Sequence, residues 1–389
     1  MTFIGILGML LGLLALSYAW IERTRVRVAV FAGLFLSHTF CAFVYHSYAV
    51  NYGSDASIYY YGYEGFETGF GTSTQFIIYI TQAIKTATDA TYLDLFLVFH
   101  AFGFFGVALL MRTFEEVFAS VDLPQPTWSY FLLFLPGINF WTSAIGKDGL
   151  LFTACCLAAW AVMNLRRRYV ALAAAVGLMI LIRPHIAVIA VVAAAWTVLA
   201  DRTSNALLRG TLVLASLGGL VVAAATMKST FALDVTSADS ISDFLAVREN
   251  ALASSDDLGN TAVLDAPYPV RVLSFLFRPL FLDAEGAFGY IASFENTVFL
   301  FIFGFFIVRF RILFAAVKRV PFLRYATIFG LGVTLALAID YYNVGLGLRQ
   351  KTMVVPAFLV ILVAIGAVRA ARRRAAAMAG PIHVGLKPA

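Results

Sequence analysis

Lys147 and Asp148 are neighbours in the run Pro136-Gly-Ile-Asn-Phe-Trp-Thr-Ser-Ala-Ile-Gly-Lys-Asp-Gly. Arg183 and His185 flank a proline in Leu181-Ile-Arg-Pro-His-Ile. Arg349 and Lys351 close the run Asp340-Tyr-Tyr-Asn-Val-Gly-Leu-Gly-Leu-Arg-Gln-Lys. Each run interrupts long apolar sequence. A guanidinium offers two parallel donors to a phosphate. An ammonium beside a helix N-terminus makes an anion site. Imidazole and carboxylate carry protons. Together these types suit the holding of an anionic group while a proton moves. Each also has a plainer reading: Asp148 as a helix cap, Arg183 as a snorkelling hairpin tip, Arg349 as a cation at a loop end.

Two further runs carry chemistry. Asn51-Tyr-Gly-Ser-Asp-Ala-Ser-Ile-Tyr-Tyr-Tyr-Gly-Tyr-Glu-Gly-Phe-Glu combines aromatic residues with Asp55, Glu64 and Glu67. The faces of Tyr59 and Tyr60 suit stacking on a pyranose ring, and Asp55 is placed to accept a hydroxyl proton. A membrane-interface aromatic belt would look similar. In Tyr268-Pro-Val-Arg-Val-Leu-Ser-Phe-Leu-Phe-Arg-Pro, Arg271 and Arg278 are seven residues apart. That spacing puts them on one helix face. It predicts an amphipathic helix over 268–282, with its arginines at lipid headgroups or a lipid-linked phosphate. Simple anchoring fits equally well. The acidic, serine-rich sequence between Lys228 and this helix reads as solvated surface.

The elements that must position these residues are membrane spans. Of 389 residues, 61% are hydrophobic and 13% charged, and the mean hydropathy is +0.86. A soluble domain carries about 25% charged residues. Continuous apolar runs of about 18 residues or more mark an all-α polytopic membrane protein and exclude an alternating outer-membrane barrel. The expected spans are Thr2–Trp20, Val28–Val50, Tyr92–Met111, Thr127–Ser143, Asp148–Asn164, Tyr169–Ile182, Ile186–Ala200, Asn205–Thr226, Gly289–Val308, Pro321–Asp340 and Thr352–Val368. This makes about eleven helices. The segment 73–88 is interrupted by Gln75, Gln82 and Lys85 and reads as re-entrant or interfacial. The first run has neither a basic lead-in nor a small-residue cleavage site, so it is kept as a span.

Positive charge sets orientation. Arg23/Arg25/Arg27, Arg166–Arg168, Arg202/Arg209, Arg309–Arg324 and Arg369–Arg374 fall on one side if 73–88 does not cross. The N-terminus is then outside and the C-terminus inside. Residues 1–369 form a single transmembrane domain with outer loops 51–91 and 228–288, and 370–389 form a basic cytoplasmic tail. The net charge of +6 belongs to this orientation, not to nucleic acid. The outer side is acidic, which makes Lys147, Arg183, Arg271, Arg278, Arg349 and Lys351 conspicuous at the span ends. Cys41, Cys155 and Cys156 lie in apolar runs with no metal spacing. His38, His46 and His100 read as isolated core or interface residues. No phosphate-binding loop, dinucleotide fingerprint, zinc motif or nucleophile elbow occurs. No metal or other cofactor is expected.

The Ser-Asp-x-x-x-Tyr-Tyr loop followed by an amphipathic non-crossing segment resembles the Wzy-type and EpsG-like bacterial polysaccharide polymerases. So do the Phe-Trp-x-Ser-x-x-Gly-Lys-Asp turn, the Ile-Arg-Pro-His hairpin and the arginine before the last span. More broadly the chain is similar to the GT-C superfamily of membrane glycosyltransferases. The resemblance implies a bacterial inner-membrane enzyme that joins undecaprenyl-pyrophosphate-linked glycan units on the outer face, within the lipid bilayer and beside other polysaccharide-assembly proteins. Arg183 and Arg349, supported by Lys147, Arg278 and Arg271, would hold the leaving pyrophosphate. Asp55 or His185, with Asp148 behind them, would take the acceptor proton. A polyprenyl-monophosphate donor, a ligase, or a transporter of lipid-linked glycans are the alternatives.

Overall fold

Apolar periodicity and length dictate helices, and the computed structural model has helices joined by short turns and no strand among its described residues. It describes residues 24–62, 69–200, 266–339 and 344–378, with Tyr341 and a few isolated positions elsewhere. The expected spans Thr2–Trp20 and Asn205–Thr226 lie mostly outside the described residues, as do the acids Glu64 and Glu67, most of the loop expected over 228–288 before 266, and the end of the tail.

Helix α1 (Arg25–Tyr52) leads through Gly53 and Ser54 into the short α2 (Asp55–Tyr61). Helix α3 (Thr74–Thr88) is followed by the long α4 (Tyr92–Ala119). Thr91 and Asp94 start α4 with reciprocal side-chain and backbone hydrogen bonds, which satisfy amides that a helix start leaves open. Next come α5 (Thr127–Phe131), one 3-10 turn and α6 (Pro136–Trp141). Helices α7 (Lys147–Met163), α8 (Leu165–Ile182) and α9 (Pro184–Leu199) follow. After the gap come α10 (Tyr268–Phe277), α11 (Gly286–Val308), α12 (Phe310–Arg319), α13 (Pro321–Ile339), α14 (Val344–Lys351) and α15 (Val355–Met378).

Five of these helices are long and apolar enough to cross a membrane: α1, α4, α11, α13 and α15. Helix α4 is the central one. It packs most extensively on α7, and nearly every residue from Leu95 to Phe118 is buried. Helices α1 and α11 instead keep large apolar side chains outward, among them Phe40, Phe43, Phe294 and Phe301. Apolar side chains facing outward along long helices are what a hydrocarbon solvent calls for.

Several boundaries differ from expectation, and the span expected over Tyr92–Met111 runs on to Ala119. The stretch Thr127–Ser143 is three short pieces rather than one helix, because Pro136 has no amide to donate and holds Leu135 in an extended conformation (ψ 127°). The amphipathic helix expected over 268–282 stops at Phe277. Arg278 precedes Pro279 and is extended, so it does not share a helix face with Arg271. The loop before the last span contains a helix, α14. The last helix runs on through Arg369–Arg374 to Met378, since alanine and arginine are strong helix formers.

The two ends of α4 are ~42 Å apart and chemically unlike. At its far end Glu116 accepts from Arg112 Nε (3.1 Å), Arg168 Nη1 (2.7 Å) and Trp160 Nε1 (3.1 Å). Beside it Glu115 lies 3.3 Å from Arg27 and 3.0 Å from Arg112. Two of the basic clusters read as same-sided, around Arg27 and Arg168, therefore meet on one pair of glutamates. At the other end Tyr92 faces α2, with its hydroxyl 3.1 Å from Ser57 Oγ.

Candidate functional site

Three short runs, far apart in sequence, converge near α2. Helix α14 carries Arg349, whose Nε donates to Asp148 Oδ2 and whose Nη1 donates to Asp55 Oδ2. These carboxylates are 201 and 294 residues away along the chain. Asp148 is in the first turn of α7 and Asp55 in the first turn of α2, where helix dipoles favour negative charge. The Asp148 side chain is 6% exposed and that of Asp55 is 50% exposed. Asp148 is thus the fixed partner and Asp55 the solvated one. Asp148 Oδ1 is buried and has no hydrogen-bond partner among the described residues.

Lys147, one residue before the apolar stretch of α7, donates to Ser73 Oγ (3.1 Å) and Thr74 Oγ1 (2.7 Å) at the start of α3. Burial, together with repulsion from Arg183 and Arg349, pulls its ammonium down to about 8, against the opposing pull of Asp148 and Asp55. Arg183 is therefore within electrostatic reach of Lys147. It stands at the break between α8 and α9, where Pro184 prevents a continuous helix. The same break is tied to α3, because Ser73 N–H donates to Leu181 O at 2.7 Å. Gly146, just before Lys147, has φ 156° and ψ −168°, a conformation that favours glycine. A side chain there would sit 3.7 Å from the Arg349 guanidinium.

No family model, curated protein or solved structure matches this chain. The reading therefore rests on the geometry of its own residues.

Of the residues singled out from sequence, the structure brings Asp55, Lys147, Asp148, Arg183 and Arg349 together. Tyr59 joins them from below. It is buried, with its hydroxyl raised to about 12 by desolvation, which outweighs the neighbouring Arg349. A buried ring offers no face to a sugar. Tyr60 offers none either, because Lys85 Nζ covers its ring at 4.1 Å from the centroid and donates to its carbonyl at 3.1 Å. Its hydroxyl donates to Ala90 O. Both tyrosines hold α2 against α3 rather than forming an open wall. His185 lies in the first turn of α9, two residues beyond Arg183.

Arg278 pairs with Asp283, and Arg271 is in the first turn of α10. Among the described residues neither pairs with the carboxylates that hold Arg349. His38 and His100 are buried but not isolated. Their ring centroids are 4.6 Å apart, with His38 bonded to Thr142 and His100 to Thr39.

Two groups were missed from sequence. Ser73 and Thr74 hold Lys147, and nothing in their local run signals it. Glu295 stands on α11 and accepts from Gly137 N–H at 2.5 Å. It is a lone acid inside an apolar span, and that is a signal in itself.

Proposed function

We propose that this chain is an outer-face membrane glycosyltransferase acting on lipid-linked glycans, in the manner of a polysaccharide polymerase using undecaprenyl-pyrophosphate donors. The observation that carries the reading is the convergence of Arg349, Lys147 and Arg183 with Asp148 and Asp55 at one end of the helix layer. Leaving-group chemistry of this kind needs cations aimed at the pyrophosphate as its charge develops, and a base for the acceptor hydroxyl. Arg349, Lys147 and Arg183 supply the first. Asp148 supplies the second through its unpartnered Oδ1, while Arg349 holds its other oxygen.

Asp55 acts as a solvated counter-ion that keeps Arg349 in place between turnovers. When a pyrophosphate arrives, Asp55 is the carboxylate that yields. If it stayed, three cations against two carboxylates would leave one net positive charge, which suits a polyprenyl-monophosphate donor instead.

The same reading sets about eleven spans, with the N-terminus outside and the C-terminus inside a bacterial inner membrane. It is supported by the meeting of Arg27 and Arg168 at the end of α4 opposite Asp55. The attachment of α3 to Lys147 and Leu181 at its start and to α2 along its length fits a segment that does not cross.

The test uses purified protein in vesicles with undecaprenyl-pyrophosphate-linked repeat units. Polymer on a gel and release of undecaprenyl pyrophosphate are expected. A protein that binds neither the lipid pyrophosphate nor the monophosphate would end the proposal. Single cysteines at Asn51 and Arg372, both exposed, should label from opposite sides of the membrane. Labelling from one side would overturn the orientation.

A further inference from the structure

Between α1, α6, α11 and α14 lies a cavity of about 460 Å³. This is within the ~300–1,000 Å³ range of small-ligand sites. Its polar floor is Glu295 and Lys351, which are 7% and 3% exposed, and its lining also includes Asp283, which pairs with Arg278, and the exposed Glu285. Its walls include Tyr45, Tyr48, Phe140, Trp141 and Phe288.

The floor is built, not accidental. Glu295 Oε2 is held by Gly137 N–H at 2.5 Å, and Lys351 Nζ donates to Asn296 Oδ1 at 2.5 Å. Asn296 is itself fixed, donating to Pro279 O at 2.8 Å. A Cβ on Gly137 would come within 2.6 Å of the Glu295 carboxylate, so the close approach requires glycine there. Charged groups in apolar helices are costly and mark function by default.

The chemistry of the floor selects the ligand. Glu295 only accepts hydrogen bonds, and Lys351 only donates them. A phosphate accepts from Lys351 but faces Glu295 with like charge, and an amine has the opposite conflict. A hydroxyl does both, donating to the carboxylate and accepting from the ammonium. The walls agree. Tyr45, Phe140, Trp141 and Phe288 form a connected ring cluster, with Tyr45 to Phe140 centroids 4.8 Å apart and Phe140 to Phe288 5.5 Å apart. Tyr48 and Phe288, 40% and 51% exposed, stand at the rim. Phe40 and Ile291, which also line the cavity, face outward among lipid-facing side chains, so the opening is lateral.

We infer that this cavity binds the neutral, hydroxyl-rich ring of a membrane glycolipid, with Glu295 and Lys351 gripping its hydroxyls and Tyr48 and Phe288 stacking on its face. Its binding chemistry stands alone. Its role as the acceptor subsite rests on the glycosyltransferase reading. Geometry links the two. Arg349 and Lys351 are two residues apart on α14, about 200° around the helix, so one short helix serves the anion cluster on one face and the cavity on the other. Tyr45 lines the cavity and lies within electrostatic reach of Arg349, Asp148 and Asp55.

The experiment uses the full chain in lipid nanodiscs with two photoreactive diazirine probes, an alkyl β-glucoside and an alkyl phosphate of equal tail length. The glucoside should crosslink to peptides containing Tyr48, Phe140 or Phe288. Glu295→Gln and Lys351→Met should each lower that capture at least tenfold while phosphate capture at the Arg349 end is unchanged. Because those buried variants can misfold, Phe288→Ala at the exposed rim is the second arm, and the same loss of glucoside capture is expected. Glucoside capture spread over the outer helix surfaces would overturn the inference. So would equal capture by wild type, Glu295→Gln and Phe288→Ala, or phosphate capture inside the cavity. Failure of phosphate capture at Arg349 with glucoside capture intact would count against the glycosyltransferase reading alone.

Discussion

Arg349 joins two carboxylates that are far apart in sequence, Asp148 through its Nε and Asp55 through its Nη1. The two contacts are unequal in energy, because Asp148 is buried and Asp55 is half in solvent. Arg349→Ala would leave Asp148 buried and unpaired, at a cost of about 3–5 kcal/mol in stability. The double variant Arg349→Ala with Asp148→Asn should recover most of that loss in a thermal-unfolding measurement. It should not recover binding of undecaprenyl pyrophosphate. Wild-type binding by the double variant would reduce the cluster to a structural clamp.

Asp55→Asn should leave the unfolding temperature nearly unchanged, since an exposed pair contributes about 0–1 kcal/mol. Freed of its solvated counter-ion, Arg349 should hold the lipid pyrophosphate several-fold more tightly. Asp148→Asn should instead cut polymer formation by about 100-fold or more, the usual weight of a general base. An equal loss in Asp55→Asn would move the base to Asp55.

Lys147 makes anion binding depend on pH. Its ammonium titrates at about 8, lowered by burial and by Arg183 and Arg349. Below that pH it is charged and attracts phosphate; above it the charge is lost. Affinity for undecaprenyl pyrophosphate should therefore be level up to the titration of Lys147 and fall roughly tenfold per pH unit beyond it. Lys147→Gln should bind more weakly at pH 7 and show a flat profile from 7 to 9. A slope retained in Lys147→Gln would assign it elsewhere.

Glu116→Gln tests the other end of α4. It weakens bonds to Arg112, Arg168 and Trp160 at once. A loss of about 2 kcal/mol in stability is expected, the scale of a hydrogen bond to a charged group. Lipid-pyrophosphate binding should be unchanged. A binding defect as large as that of Arg349→Ala would mean that the two ends are coupled.

The sequence by itself determined the class and the candidate cations. Apolar run length dictates helices, and a charge at the end of such a run is conspicuous whatever surrounds it. That is why Lys147, Arg183 and Arg349 were legible before any contact was known, as was the break at Pro184. Only the tertiary structure decided which of the marked residues meet. Arg271 and Arg278 carry the same charge as Arg349, yet they pack elsewhere, because Pro279 ends their helix register and Asp283 takes Arg278. Tyr59 and Tyr60 read as an open aromatic wall, but α3 covers them, and a residue pattern does not say which face another helix will occupy. The aromatic wall that remains open is drawn from α1, α6 and α11, and its floor pairs Glu295 with Lys351. No local spacing connects those positions, since side chains far apart in sequence become neighbours only through the packing of whole helices.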